Sequence, residues 1–376
     1  MPRRGARLVL VAVMAVLVVL VVLGWSPVQA AAGAWSSSGP AEQVRAVALS
    51  PTDEQTLLAA GTSGVWRTTS GGNAWQRIAS ALLGASLAYS PFDANTVFAV
   101  SADGKQVLQS ADGGASWVPS FSLTGEGSFT SVLPDPNVAD RVFASGTGSD
   151  GLAQIWRSLD RGATWTGVLP ASLNGAGGLS TPLAGPLGAL PGQPGFILAG
   201  VTNYHSGGVV SSTDGGATWH LDYNDALSPL AGATCLAVGA SIYAGLNVEA
   251  AGSLVRSDDG GATWTNLTAN LPIGGAASGG VVAAIALDPG APETVTIAEW
   301  DISSPRHTGV FRSADRGASW SELGHLAPLV SGPDGLVMAA ASRTLHAATD
   351  SGVFDDTLGT APPPPVQAPV AAGNVP

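Results

Sequence analysis

Ser110-Ala111-Asp112-Gly113-Gly114-Ala115-Ser116-Trp117 decides the fold, because it returns. It recurs as Ser158-Leu159-Asp160-Arg161-Gly162-Ala163-Thr164-Trp165 and as Ser212-Thr213-Asp214-Gly215-Gly216-Ala217-Thr218-Trp219. Two further copies are Ser257-Asp258-Asp259-Gly260-Gly261-Ala262-Thr263-Trp264 and Ser313-Ala314-Asp315-Arg316-Gly317-Ala318-Ser319-Trp320. A degenerate copy, Thr68-Thr69-Ser70-Gly71-Gly72-Asn73-Ala74-Trp75, has Ser70 where the others have Asp. The pattern is a hairpin clamp. A carboxylate accepts hydrogen bonds from turn N–H groups, Gly takes positive φ, and Trp supplies apolar cover. A residue repeated in every unit cannot mark one site, so Asp112, Asp160, Asp214, Asp259 and Asp315 read as structural, as do Trp75, Trp117, Trp165, Trp219, Trp264 and Trp320.

Those tryptophans lie 42 to 56 residues apart, a period that fits four short strands per unit and hence a propeller blade. Before the first box, Val44-Arg45-Ala46-Val47-Ala48-Leu49 reads as an inner strand and Ser50-Pro51-Thr52-Asp53 as a turn. Thr56 to Ala60, Gly64 to Arg67 and Trp75 to Ile78 follow as the remaining strands. At the far end, Leu345 to Phe354 repeats the frame of Leu57 to Trp66 and then stops without a box, while Trp35-Ser36-Ser37-Ser38 is a fourth strand with no unit before it. The simplest solution is ring closure: an all-β, seven-bladed propeller over residues 33–357 whose last blade is completed by the N-terminal strand near Trp35. Arg67, Arg157, Arg256 and Arg312 each precede a box, and their repetition reads as structural, the stems snorkelling over apolar neighbours.

Composition limits the function. Only 11% of residues are charged and the net charge is −12; such a surface repels phosphate backbones, so no nucleic-acid partner is expected. Arg3, Arg4 and Arg7 precede an unbroken apolar run, Leu8 to Leu23, and Val28-Gln29-Ala30 offers small residues for cleavage. Residues 1–30 therefore read as a signal peptide of an exported protein. An uncleaved anchor is the rival, with membrane contact confined to residues 8–25. The single cysteine, Cys235, excludes an internal disulfide framework and reads as a small buried hydrophobe. Residues 358–376, with Pro362 to Pro365 in a row, read as a Pro/Ala-rich tail outside the ring. A monomer is expected, with no metal and no cofactor.

Since the boxes occupy one face, a ligand is expected on the other, where the second-to-third-strand loops lie. Unrepeated chemistry gathers there on blades four to six: Tyr204 and His205, then Glu249, then Glu299, Trp300, Asp301, Arg306 and His307. Aromatic faces suit sugar or peptide stacking, and Tyr204, His205, Trp300, Arg306 and His307 are the ligand-binding candidates. Solvated loop residues are the plain alternative. His205, His307 and Asp301 lack any metal-ligand spacing. A glycosidase needs two carboxylates about 5–9.5 Å apart, and Asp301 with Glu249 or Glu299 is the best such set.

On these boxes the chain resembles the Asp-box, or BNR, propellers, and the resemblance covers nearly all of it after residue 33. It is similar to the sortilin-like and photosystem II assembly factor-like group, and its blade frame to that of xyloglucan-active glycoside hydrolases. The resemblance implies either a non-enzymatic module binding a protein or carbohydrate on the face away from the boxes, or a glycoside hydrolase with a carboxylate pair. Sialidase activity is not expected: there is no Arg-Ile-Pro motif, and Arg306 is the one arginine placed on the ligand face. The xyloglucanase-like enzymes use two aspartates across a cleft between two propellers, whereas this chain holds one, in which Thr349-Asp350-Ser351-Gly352 resembles one of their catalytic strands. The assembly-factor group carries a basic patch that this chain lacks.

Overall fold

In the computed structural model, residues 35–170, 173, 183–203, 206–224, 232–248, 251–272, 280–301, 308–326 and 335–358 are described. They lie in the unit Gly33–Pro376 and form seven four-stranded antiparallel sheets. The first blade runs Val44–Leu49, Leu57–Gly61, Gly64–Thr68 and Gln76–Ala79, within a residue of the strands read from sequence. The first strands of neighbouring blades lie against each other around the whole ring, the seventh meeting the first. The last blade takes three strands, Leu336–Ala339, Thr344–Thr349 and Gly352–Thr357, from the C-terminal side; its fourth is Ser36–Ser37, paired to Asp355 and Phe354. Trp35 packs with Phe354 in the same apolar cluster, so the N-terminal strand closes the ring.

The core consists of seven apolar clusters, one for each seam between adjacent blades. Alternation along each strand sends one set of side chains to the preceding seam and the other to the next. The box tryptophans serve these seams too. Trp117 packs into the cluster between blades one and two, and Trp219 into that between three and four.

The boxes explain their own sequence. In the second blade, the buried Ser110 Oγ accepts from Gly114 N at 2.8 Å and donates to Asp112 Oδ1 at 2.8 Å. Asp112 accepts from Ser116 N at 2.8 Å and Ser116 Oγ at 2.6 Å. The same set recurs around Asp160, Asp214, Asp259 and Asp315. The Ser116 hydroxyl, then its N–H and Ser110, hold the Asp112 carboxyl at about 2. The fourth position varies because Arg161 and Arg316 tolerate φ of 57° and 58° there. The fifth is always Gly because it needs both a positive φ and bare backbone: a Cβ on Gly216 would lie 2.6 Å from the Phe143 ring of the preceding blade. Each box thus docks a glycine on its neighbour.

Two of the arginines before the boxes, Arg157 and Arg256, hold the next box by hydrogen bonds rather than by snorkelling. Arg157 Nη1 donates to Gly215 O at 2.9 Å and Arg256 Nη1 to Arg316 O at 2.6 Å, each reaching the box of the next blade. A turn carbonyl left outside any ladder satisfies the guanidinium better than apolar surface does.

Candidate functional site

The first-to-second-strand loops and the boxes share one face, since Gly71 N, Gly113 N, Arg161 N, Gly215 N and Arg316 N each donate to a carbonyl in that loop of their own blade. The opposite face carries the second-to-third-strand loops. Much of its polar chemistry is turned inward. Glu42, in the connection entering the first blade, accepts from Thr62 Oγ1, Ser63 N, Ser63 Oγ and Trp66 Nε1 at 2.6 to 3.1 Å. Burial pushes its pKa up, but Ser63, Trp66 and Thr62 outweigh this and hold it below the usual carboxylate range. Sequence reading missed Glu42, because its partners lie at least 20 residues away and no motif links them.

The second and third blades behave alike. Asp103 accepts from Ser101 Oγ at 2.5 Å and Lys105 N at 3.0 Å, and Lys105 Nζ donates to Gly125 O and Gly127 O. Asp150 accepts from Leu152 N at 3.1 Å. On the seventh blade, Asp350 Oδ1 accepts from Gln43 Nε2 at 2.7 Å, bridging to the first. Cross-blade bonds also run to the inner strands: Arg45 Nη1 to Leu83 O, Val132 N to Ser86 Oγ and Thr234 Oγ1 to Val282 O between inner strands, and Ser145 Oγ of a second strand to Gly185 O. Arg45 and Thr234 sit at β-bulges of their strands, which free a side chain from the ladder and aim it at the neighbour.

In blades four to six the second-to-third-strand loops lie outside the described residues. The second strands of these blades, Ile197–Asn203, Ile242–Val248 and Val295–Asp301, end on this face. Glu299 is completely buried, opposite Val282 and Gly309 in the sheet. The same position holds Gly61, Gly146 and Leu246 in the first, third and fifth blades, so a carboxylate there departs from the repeat. Trp300 and Asp301 complete that strand, paired with Val281 and Gly280. Tyr204, His205, Glu249, Arg306 and His307 lie outside the described residues. Among the described residues no His, Cys, Asp and Glu group could hold a metal ion. Cys235 is buried, and burial pushes its thiol up to about 12, so it carries no nucleophilic thiolate.

No family model and no curated protein matches this sequence. Solved structures do match the fold. A GH74 xyloglucanase from Xanthomonas campestris aligns with a TM-score of 0.65 at 20% identity, over 86% of this chain and 53% of its own. YCF48 bound to a D1 peptide aligns with a TM-score of 0.56 at 14% identity, over 87% of this chain and 96% of its own. An oligogalacturonate lyase in complex with manganese gives 0.62 at 9% identity, over 88% and 95%. This chain spans about half the length of the xyloglucanase. It is a structural match to the BNR-type seven-bladed propellers of the xyloglucanase and YCF48. That likeness establishes the fold alone, since the matching rings bear unrelated activities.

Proposed function

We propose that this chain is an exported, non-enzymatic binding propeller that takes a protein or glycan segment on the face opposite its boxes, at the ends of blades four to six. The observation that carries this is where the unrepeated residues fall: the polar loop groups of blades one, two, three and seven are held in internal bonds, and the aromatic and charged residues that the repeat does not explain lie in sequence on blades four to six. Complete burial of Glu299 also weighs against it as an acid or base, which must reach the proton it transfers. YCF48, nearly all of whose length this ring covers, carries a bound peptide, so an extended peptide ranks ahead of a glycan. The xyloglucanase likeness favours a second reading, a glycoside hydrolase using Asp301 and Glu249.

The two readings part in one experiment. The full chain is screened against a peptide array, xyloglucan and polygalacturonate, with released reducing ends assayed alongside. Binding without release, weakened about tenfold or more by Tyr204→Ala or Trp300→Ala, is the expected result. Release of reducing ends that Asp301→Asn abolishes would establish the hydrolase instead. For export, the expected N-terminus of the extracellular protein is Ala31.

A further inference from the structure

A cavity of about 170 Å³ opens on the box face between the second and third blades, several times the ~30 Å³ that a water takes in the liquid. Phe98 of the second strand lies against it, Phe92 stands at its edge with 52% of its surface exposed, and Ser90, Asp93, Thr96 and Arg161 supply its polar groups.

The repeat itself indicates what such a space accepts. The registers Tyr89↔Val97 and Pro134↔Val142 place Ser90 and Thr96 of the second blade where the third has Asp135 and Arg141. One seam further round the ring, the equivalent space is full. Arg141 lies over Phe143 at 5.9 Å from the ring centroid, and its Nε bonds Asp135 Oδ2 at 2.6 Å. Its guanidinium lies so close to Gly215 of the next box that a Cβ there would be 2.1 Å from Nη1. In the second blade Thr96 is too short to do this. The aromatic ring is retained as Phe98, and the place of Gly215 is taken by Arg161 at the far wall. The charge of Arg161 is already matched, its Nε bonding Asp140 at 2.5 Å. Asp93 is the acidic group of the lining, and Arg161 is the weakest of the partners that act on it, after the hydrogen bonds from Asn95 and Thr96. Its oxygens accept from Asn95 N and Thr96 Oγ1 at 2.9 and 2.7 Å, and a carboxylate keeps lone pairs for further donors. The chain's net charge of −12 favours a cationic visitor.

We propose that this cavity is a receptor for the guanidinium group of an arginine on a partner peptide, which supplies in trans what Arg141 supplies in cis at the next seam. The planar group lies against the phenylalanine rings and donates to Asp93 and Ser90. The site is independent of the ligand face opposite.

The test uses the full chain and a capped Gly-Ser-Arg-Ser-Gly peptide, with the citrulline peptide as an uncharged isostere, titrated and followed by NMR or fluorescence. The arginine peptide is expected to bind at least about tenfold tighter than the citrulline one, since charge-assisted bonds are roughly twice as strong as neutral ones. Asp93→Asn is expected to weaken it by about tenfold. The pair Ser90→Asp with Thr96→Arg rebuilds the neighbouring seam's ion pair, fills the cavity, and is expected to abolish binding while leaving the thermal melt intact. Thr56→Arg, the same substitution on the first blade, is expected to bind as the wild type does. Equal affinity for citrulline, or full binding by the filled variant, overturns the proposal. So does displacement of the peptide by acetate, which would assign the cavity to an anion at Arg161.

Discussion

Two kinds of seam hold this ring together. At three seams, a boxed glycine turn rests on a large apolar side chain of the preceding second strand: Gly114 on Leu58, Gly162 on Phe98, Gly216 on Phe143. At the next two, Gly261 meets Asp222 and Gly317 meets Leu267. On either side of the seventh blade, which has no box, the box-face end of the seam is built from ionisable side chains. The second-strand position held elsewhere by Leu58 or Phe143 is Thr296 in the sixth blade and His346 in the seventh. Arg312 and Arg343 both lean on the buried Asp288, at 3.6 and 3.0 Å, with Asp356 buried nearby. At the next seam His346 Nδ1 meets Asp355 Oδ1 at 2.7 Å, and Asp355 lies against Gly72 of the first blade. A hairpin can be repeated only where the chain continues. The seventh blade supplies no such hairpin, so at its seam with the sixth blade Arg312, Arg343 and Asp288 stand where a boxed turn lies elsewhere.

The two seam types should fail differently. Burial raises the Asp356 pKa against the opposing pull of Arg312, and Arg312 is itself lowered by burial and by Arg343. A cluster so placed adds little net stability, yet losing one member strands the rest. Arg312→Ala is expected to cost about 3–5 kcal/mol in urea denaturation, as much as Phe143→Ala at an apolar seam, about 3–5 kcal/mol. Replacing opposite charges together, with Arg312→Met and Asp356→Leu, is expected to return stability to within about 1 kcal/mol of the wild type. A loss for Arg312→Ala no larger than a surface substitution, about 0.5 kcal/mol, would show that the charges are bystanders and the comparison empty.

The next test concerns the boxed turn alone. Ser110 is buried, and its hydroxyl accepts from the inward-facing Gly114 N–H. Ser110→Ala removes that acceptor and is expected to cost about 1–3 kcal/mol, the penalty of an unsatisfied buried amide. The same change at exposed Ser36 in the closing strand, whose hydroxyl reaches Asp355 O at 3.4 Å, is expected to cost under about 0.5 kcal/mol. Equal losses would mean that the box hydroxyl is no more than a surface group.

This contrast also explains what the sequence could reveal. The boxes, the blade count and the borrowed strand at Trp35 were legible because repetition and period are properties of a linear string. The invariant Gly at the fifth box position was legible as a turn residue; its closeness to Phe143 was not, since that ring lies some 70 residues earlier. Arg157 and Arg256 were recognised as structural by their recurrence, yet their acceptors sit 58 and 60 residues ahead. Glu42 and the His346–Asp355 pair occur once each and leave no period to detect. On the face opposite the boxes, Glu299 stood out as a residue type, but its complete burial follows from packing by neighbours that no local pattern encodes.

The smallest effect tests whether the first blade is a boxed blade lacking one group. Gly71 and Gly72 already adopt φ of 60° and 97°, as in the intact boxes, and Ala74 N donates to Ser70 Oγ at 3.1 Å. Ser70→Asp with Ala74→Ser adds the carboxylate and its second donor, and is expected to raise stability by about 1 kcal/mol at neutral pH. Its pH dependence identifies the cause. In the intact boxes, hydroxyl and backbone donors hold Asp112, Asp160 and Asp259 at about 2, below the ~3.9 of an unfolded aspartate. A group lowered on folding stabilises above its unfolded value and loses that contribution as pH falls through the folded one. The gain should therefore be full above about pH 5 and vanish toward about pH 2. A gain that persists at pH 2 would come from packing rather than from the carboxylate, and would leave the first blade outside the boxed class.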